Sequence, residues 1–229
     1  AVQFGFLPLI TGTLWVSLFA ILFALPFGLS VAIYMSEVAN SRVRNLLKPI
    51  IELLSGIPSV VYGFFGLIVI VPFIQKVFNL PVGESGLAGS IVLAIMALPT
   101  IITVTEDAMR NCPRAMREAS LALGASQWQT IYKVVIPYSV SGITSGVVLG
   151  IGRAIGETMA VLMVTGNAAV IPHTILEPLR TIPATIAAEL GEAPAGGAHY
   201  EALFLLGVVL FFISLLINFT VEAVSARKR

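Results

Sequence analysis

Arg153 and Glu157 stand four residues apart in the run Gly150-Ile-Gly-Arg-Ala-Ile-Gly-Glu-Thr-Met-Ala-Val-Leu-Met-Val-Thr-Gly-Asn167, which holds no other charge. An arginine is always ionised, and its planar fork of N–H donors matches two oxygens of a tetrahedral oxyanion. A carboxylate beside it can accept a hydrogen bond from an anion that keeps a proton, such as hydrogen phosphate. Fully ionised sulfate has no proton to offer and would meet repulsion. Two readings follow from these residue types. Either the pair is an ion pair that locks two subunits together, or Arg153 holds an oxyanion while Glu157 orients it and selects the protonated form. Other chemistry finds less support. The single Cys112 allows no internal disulfide, and His173 and His199 lie far apart in a polar stretch, so no metal-ligand spacing occurs.

The elements that must position the pair are membrane helices. Of 229 residues, 57% are hydrophobic and only 11% charged, with a mean hydropathy of +0.97; soluble domains carry about 25% charged residues. Net charge is +1, which gives no bulk attraction to nucleic acid. Five segments are long and apolar enough to cross a bilayer, at about 11–35, 49–74, 88–106, 139–165 and 202–222. The expected architecture is all-α and polytopic, with residues 1–229 forming one transmembrane domain.

On a continuous fourth helix, Arg153 lies about 21 Å from the inner end, and Glu157 follows one turn further on the same face. A lone arginine at such depth costs on the order of 2.5–3.5 kcal/mol on insertion scales, so the pair is expected to face a partner helix, a cavity or a substrate path. Glycines 142, 146, 150, 152 and 156 have the spacing that lets another helix approach. Further candidates for the path are Ser55, Ser59 and Tyr62 around Pro58, where a broken helix would expose backbone groups, and Thr100 and Thr103 after Pro99.

Basic residues orient the chain. Ten of them fall in the segments after spans one, three and five (Arg42, Arg44, Lys48; Arg110, Arg114, Arg117, Lys133; Arg227, Lys228, Arg229), against Lys76 and Arg180 on the other side. The positive-inside rule then puts the amino terminus outside and the carboxyl terminus in the cytoplasm. In the long outward loop, about 166–201, Ile182 to Leu190 reads as a short helix with Pro183 in its first turn; a loosely structured loop is the alternative.

The inward loop 107–137 is more polar. Arg114 to Leu123 suits a helix that Gly124 would end. Ser126 can cap a second helix from Gln127, expected to stop at Pro137. Two short helices with a bend make a knob, whose Trp128 and Tyr132 suit a partner's groove.

Glu118-Ala-Ser, three residues, Gly124, nine residues, then Val134-x-Ile-Pro137 resembles the signature loop of binding-protein-dependent ABC importer permeases, with Ser120, Val134 and Ile136 in place of Ala, Ile and Leu. The resemblance implies the five-helix core of type I importers and a coupling helix, carrying Glu118, Ala119, Gly124, Trp128 and Pro137, that docks on an ATPase. No Gly-x-x-x-x-Gly-Lys-[Ser/Thr] cradle occurs here. Nucleotide chemistry, with ATP and Mg²⁺, is therefore expected on a partner ATPase dimer, and this chain is expected to be a non-catalytic subunit without cofactor or metal. The Gly152 to Asn167 run, Leu54-Ser-Gly-Ile-Pro-Ser-Val-Val-Tyr-Gly63 and Ala97-Leu-Pro-Thr100 resemble the PstC-type permeases of the phosphate-specific importer. This implies phosphate transport with roles for Arg153 and Glu157, and a PstA-type or identical permease partner. It also implies an extracytoplasmic phosphate-binding protein and a prokaryotic inner membrane; full-length members usually have one additional amino-terminal span, so the opening at Ala1 is expected to reflect either truncation or a shorter variant. Permeation of molybdate or sulfate, an ATP-independent anion channel or carrier, and a purely structural subunit are the competing expectations.

Overall fold

The computed structural model describes residues 5–226; the basic tail Arg227, Lys228 and Arg229, and the opening Ala1, lie outside the described residues. The chain is all-α, with no β-strand among the described residues. Five helical stretches are long and apolar enough to cross a membrane: Leu7–Val38, Ser59–Val77, Gly86–Arg110, Gln127–Gly156 and Ala198–Val221.

The first stretch is α1 (Leu7–Ile33) continued by a π-helical turn, Tyr34–Val38. The second apolar segment, expected at 49–74, is divided. α2 (Ser41–Ser55) starts at Asn40, whose side chain accepts the Val43 N–H at 2.9 Å. It ends at Gly56, and a new helix starts after Pro58, made of α3 (Ser59–Phe65), a π turn over Gly66–Ile70 and α4 (Val71–Val77). Pro58 has no N–H to donate and bars Ile57 from helical geometry, so the break is written in Gly56-Ile-Pro58. With Arg42, Arg44, Lys48 and Glu52 along it, α2 is not part of the span; it buries none of its residues.

The third stretch is α5 (Gly86–Arg110). The inward loop holds α6 (Arg114–Ala122) and α7 (Gln127–Thr130). Gly124 has φ +85°, the left-handed turn that ends α6. Ser126 makes a full capping box with Gln129.

The expected stop at Pro137 does not occur. A π turn, Ile131–Val135, leads directly into α8 (Ile136–Gly156). The Ile136 N–H reaches back five residues to Ile131 O, and this widened turn gives the Pro137 ring room that an α turn would deny it. The fourth span thus begins inside the loop, and it ends earlier than the expected residue 165. Glu157 and Thr158 leave helical pairing, and α9 (Met159–Val164) restarts after them. α10 (Ile182–Glu189) and α11 (Ala198–Ala226) complete the chain.

Contacts divide the chain into two compact units, and α1, α5, α8 and α11 each contribute to both. One unit holds 1–23, 57–97 and 151–217. Its centre is α3 against α9, with Gly63 so close that an added Cβ would meet Met163 Sδ at 2.8 Å and Ala160 Cα at 2.9 Å. The outward loop is tied down here. Ser85 and Gly86 donate backbone N–H groups to Val164 O and Glu177 O, and the Leu179 N–H bonds Thr165 O at 2.9 Å. α10 is capped by Thr181 and donates its Ile182 N–H to Thr13 Oγ1 at 2.9 Å. Its Ile182 is fully buried with Leu9, Leu203 and Leu206, which removes the loosely structured alternative for this stretch.

The other unit holds 24–56, 98–150 and 218–229. Leu47 and Ile51 of α2 rest on Ala32, Met35 and Ile102. α8 crosses α5 closely, because Gly142 leaves no space for a Cβ beside Ala108.

Candidate substrate path and coupling surface

The helix break changes how the two charges of the fourth span are accommodated. Arg153 lies in the last turn of α8 and Glu157 just before α9. A cation is favoured near a helix carboxyl end and an anion near an amino end, so each charge sits where the local backbone dipoles stabilise it. Glu157 Oε1 accepts the Ala160 N–H at 3.4 Å, satisfying one of the orphan donors at the start of α9. Thr158 Oγ1 donates to Gly156 O at 3.3 Å. The same-face ion pair expected of a continuous helix does not form.

Arg153 is half-buried and makes no hydrogen bond or ion pair among the described residues. Tyr62, a buried residue of α3, lies in the same unit. Beside Arg153, Gly152 and Gly156 are exposed, and an added Cβ on either would meet nothing within 4 Å. This end of α8 therefore has room on its glycine side.

The remaining candidates for the path are dispersed. Ser59, half-buried, opens α3 one turn before Tyr62. Ser55 belongs to the other unit and turns its hydroxyl back to Glu52 O at 2.7 Å. Thr100 and Thr103 are half-buried on α5, also in that unit.

The loop residues form a braced, apolar surface. Ser120 and Thr130 hydroxyls meet at 2.9 Å and tie α6 to the start of the fourth span. Arg117 pairs with Glu37 at 2.6 Å and donates to Met109 O at 2.7 Å, fixing α6 to the turn after α1. Gln127 Nε2 adds a bond to Glu37 O at 3.2 Å. On this frame Glu118 and Ala119 are exposed. Leu121, Leu123, Trp128 and Tyr132 are exposed as well, Leu123 at 89% and Trp128 at 64%. Large apolar side chains held rigidly in the open mark an interaction site. Pro137 is exposed within the helix that leaves this surface.

Sequence reasoning missed the anchor behind it. Glu106 is fully buried on α5 and receives Lys48 Nζ at 2.7 Å, Arg110 at 3.4 Å and Arg44 Nε at 3.9 Å. Asp107 pairs with the same lysine. Burial alone would lower the Lys48 pKa, but hydrogen bonds to Asp107 and Glu106 outweigh it and hold the ammonium above the ordinary lysine range. The available signal was a carboxylate at the inner end of an apolar span, with a basic amphipathic segment upstream.

Comparison with known proteins bears on the family and the fold. Residues 24–229 match the family model described as binding-protein-dependent transport system inner membrane component. The chain is 42% identical to the probable ABC transporter permease protein YqgH of Bacillus subtilis, covering 99% of this chain and 74% of that one. It is 39% identical to the phosphate transport system permease protein PstC of Mesorhizobium japonicum, covering 94% and 71%, and 38% identical to PstC 1 of Mycobacterium tuberculosis, covering 94% and 70%. Among solved structures, a permease chain of the inward-facing MetNI methionine ABC transporter superposes with a TM-score of 0.73 at 19% identity, over 97% of each chain. A chain of a bacterial alginate importer superposes at 0.70, over 97% of this chain and 79% of that one. This multi-pass membrane protein belongs to the family of binding-protein-dependent transport system inner membrane components.

Proposed function

We propose that the chain, acting as one permease domain, forms half of the translocation path of an ATP-driven inorganic phosphate importer. The observation that carries the reading is Arg153, a half-buried guanidinium inside an apolar span with no hydrogen-bond or ion-pair partner among the described residues. Desolvating such a group is costly unless something meets its donors, and an oxyanion does so with paired oxygens. Relatives at 34–39% identity that carry the name of phosphate transport permeases point to phosphate as that oxyanion.

Glu157 would supply selectivity. One of its oxygens takes the long bond from Ala160, and its other oxygen has no recorded donor, so it can accept the proton that hydrogen phosphate retains. The chain breaks no bond itself. The exposed surface around Glu118, Ala119, Gly124 and Trp128 would dock an ATPase subunit, where ATP and Mg²⁺ act. A second permease, of PstA type or identical, would pack against the glycine side of α8 to close the path, and an extracytoplasmic phosphate-binding protein would deliver substrate. In this topology α2, α6 and α7 face the cytoplasm and the loop containing α10 faces outward. The basic residues Arg42, Arg44, Lys48, Arg110, Arg114, Arg117 and Lys133 support that side assignment.

ATP-driven phosphate uptake into vesicles reconstituted with the whole importer tests the reading. Arg153→Lys keeps the charge but loses the planar fork, and uptake should fall by at least tenfold, while Glu157→Gln should erode preference for phosphate over sulfate. Full uptake by Arg153→Lys and Arg153→Ala alike would refute the role of this residue. Uptake that survives without ATP would instead identify a channel or carrier.

A further inference from the structure

Beside the exposed apolar surface of α6 and α7 lies a cavity of about 260 Å³, four of whose six lining residues are arginines: Arg44, Arg110, Arg114 and Arg117, with Ser36 and Cys112. We infer that this cavity is a binding site for a phosphate-bearing anion, separate from the translocation path and assembled wholly within the unit that holds α2 and α6.

The charges do not close among themselves. Two carboxylates answer the four guanidiniums: Glu106, fully buried, and Glu37, whose side chain is 7% exposed. Neither lines the cavity. Asp107 pairs with Lys48. The four lining arginines thus outnumber the two carboxylates that pair with them, and no acidic residue lines the cavity.

Half of the site is fixed in advance. Arg44 is held by the carbonyls of Met35, Ser36 and Ala39 at 2.8, 3.4 and 3.3 Å. Arg117 is held by Glu37 and Met109 O. Arg110 is half-exposed beside them. Arg114 is exposed and makes no hydrogen bond or ion pair among the described residues. Two anchored forks and two open ones suit an anion with several oxygens.

Local helix electrostatics point the same way. Arg114 and Arg117 occupy the first turn of α6, and that turn has no acid. Cations are unfavourable at a helix amino end, so an anion seated among these arginines would relieve two costs together. The volume suits a small anion or a single headgroup, being below the range of about 300–1,000 Å³ usual for drug-sized ligands.

Two sources share this chemistry: free inorganic phosphate, and the headgroup of an anionic phospholipid, for which basic pockets at a membrane's inner face are known sites. The importer complex in nanodiscs separates them. In phosphatidylcholine alone, inorganic phosphate binding is compared between Arg153→Ala and the same chain with Arg110→Gln and Arg114→Gln added. The difference reads this cavity whatever Arg153 proves to do. In mixed phosphatidylcholine and phosphatidylglycerol, native mass spectrometry counts retained phosphatidylglycerol on the parent chain and on Arg110→Gln/Arg114→Gln.

A tenfold or greater loss in the first arm assigns free phosphate, and one in the second assigns the lipid headgroup. Arg114→Gln alone, whose side chain has no recorded bond to lose, should retain a loss of about fivefold and excludes misfolding as the cause. No change in either arm overturns the proposal. So does loss of the ATPase subunit with both arms unchanged, because the arginines would then dock that protein.

Discussion

Replacing Glu106 with Gln tests whether the ion cluster on α5 holds the loop in place. The carboxylate is fully buried and meets Lys48 at 2.7 Å, with Arg110 at 3.4 Å and Arg44 at 3.9 Å around it. Removing one charge of a buried cluster leaves its partners uncompensated and costs about 3–5 kcal/mol. Some relief comes from outside the core, because the side chains of Lys48 and Arg110 are 25% and 48% exposed. The lower end of the range, about 3 kcal/mol, is therefore expected for Glu106→Gln. Asp107 is 54% exposed and shares the same lysine, so Asp107→Asn should cost the 0–1 kcal/mol of a surface pair. Lys48→Met should fall between, since it leaves Glu106 with two arginines. Equilibrium unfolding in mixed micelles with increasing dodecyl sulfate, followed by far-ultraviolet circular dichroism, gives the three values in one assay. Equal losses for Asp107→Asn and Glu106→Gln would show that burial does not set the ranking, and the reasoning would fail.

The same cluster gives a pH dependence. Lys48 has a raised pKa in the fold, so its contribution is fully present below the unfolded lysine value of about 10.4 and is lost as pH rises through the folded value. Unfolding midpoints of the parent chain minus those of Lys48→Met should be level from neutral pH to about 9 and converge above about 10.4; convergence already between neutral pH and about 9 would refute the assignment. Gly63→Val should destabilise by about 1–3 kcal/mol, because its Cβ would press on Ala160 and Met163, and a melt with no loss of midpoint would mean α3 and α9 are not held in this contact. Trp128→Ala should leave the melt unchanged, the side chain being 64% exposed. It should weaken ATPase-subunit binding about 30-fold, as loss of an aromatic anchor of about 2 kcal/mol does; unchanged affinity in a pull-down titration would remove this residue from the docking surface.

What the sequence disclosed and what it concealed divide along a physical line. Features written in local chemistry were legible: the shortage of charge that implies lipid contact, Gly124 with the φ that ends a helix, Ser126 with Gln129 as a cap, Pro183 in the first turn of α10. Each needs only a few neighbouring residues. Features set by distant partners were not. Glu106 lay at the edge of an apolar span, and nothing near it reveals that Lys48, 58 residues earlier, makes its burial tolerable. The break at Glu157–Thr158 has no proline to announce it. It accompanies the packing of α9 on Gly63, nearly a hundred positions upstream.

That last misreading bears on function. On an unbroken helix, Arg153 and Glu157 would neutralise each other one turn apart, and the guanidinium would have little left to offer a ligand. With the helix interrupted, Glu157 turns to the Ala160 amide and Arg153 keeps its donors. Two charges that looked like a stabilising pair are held apart by the fold, each at a helix end that favours it. A side chain whose cost is met by backbone dipoles rather than by a neighbouring carboxylate keeps its donors for an anion, which is what the role proposed for Arg153 needs, since binding in a transport path must be favourable without being permanent.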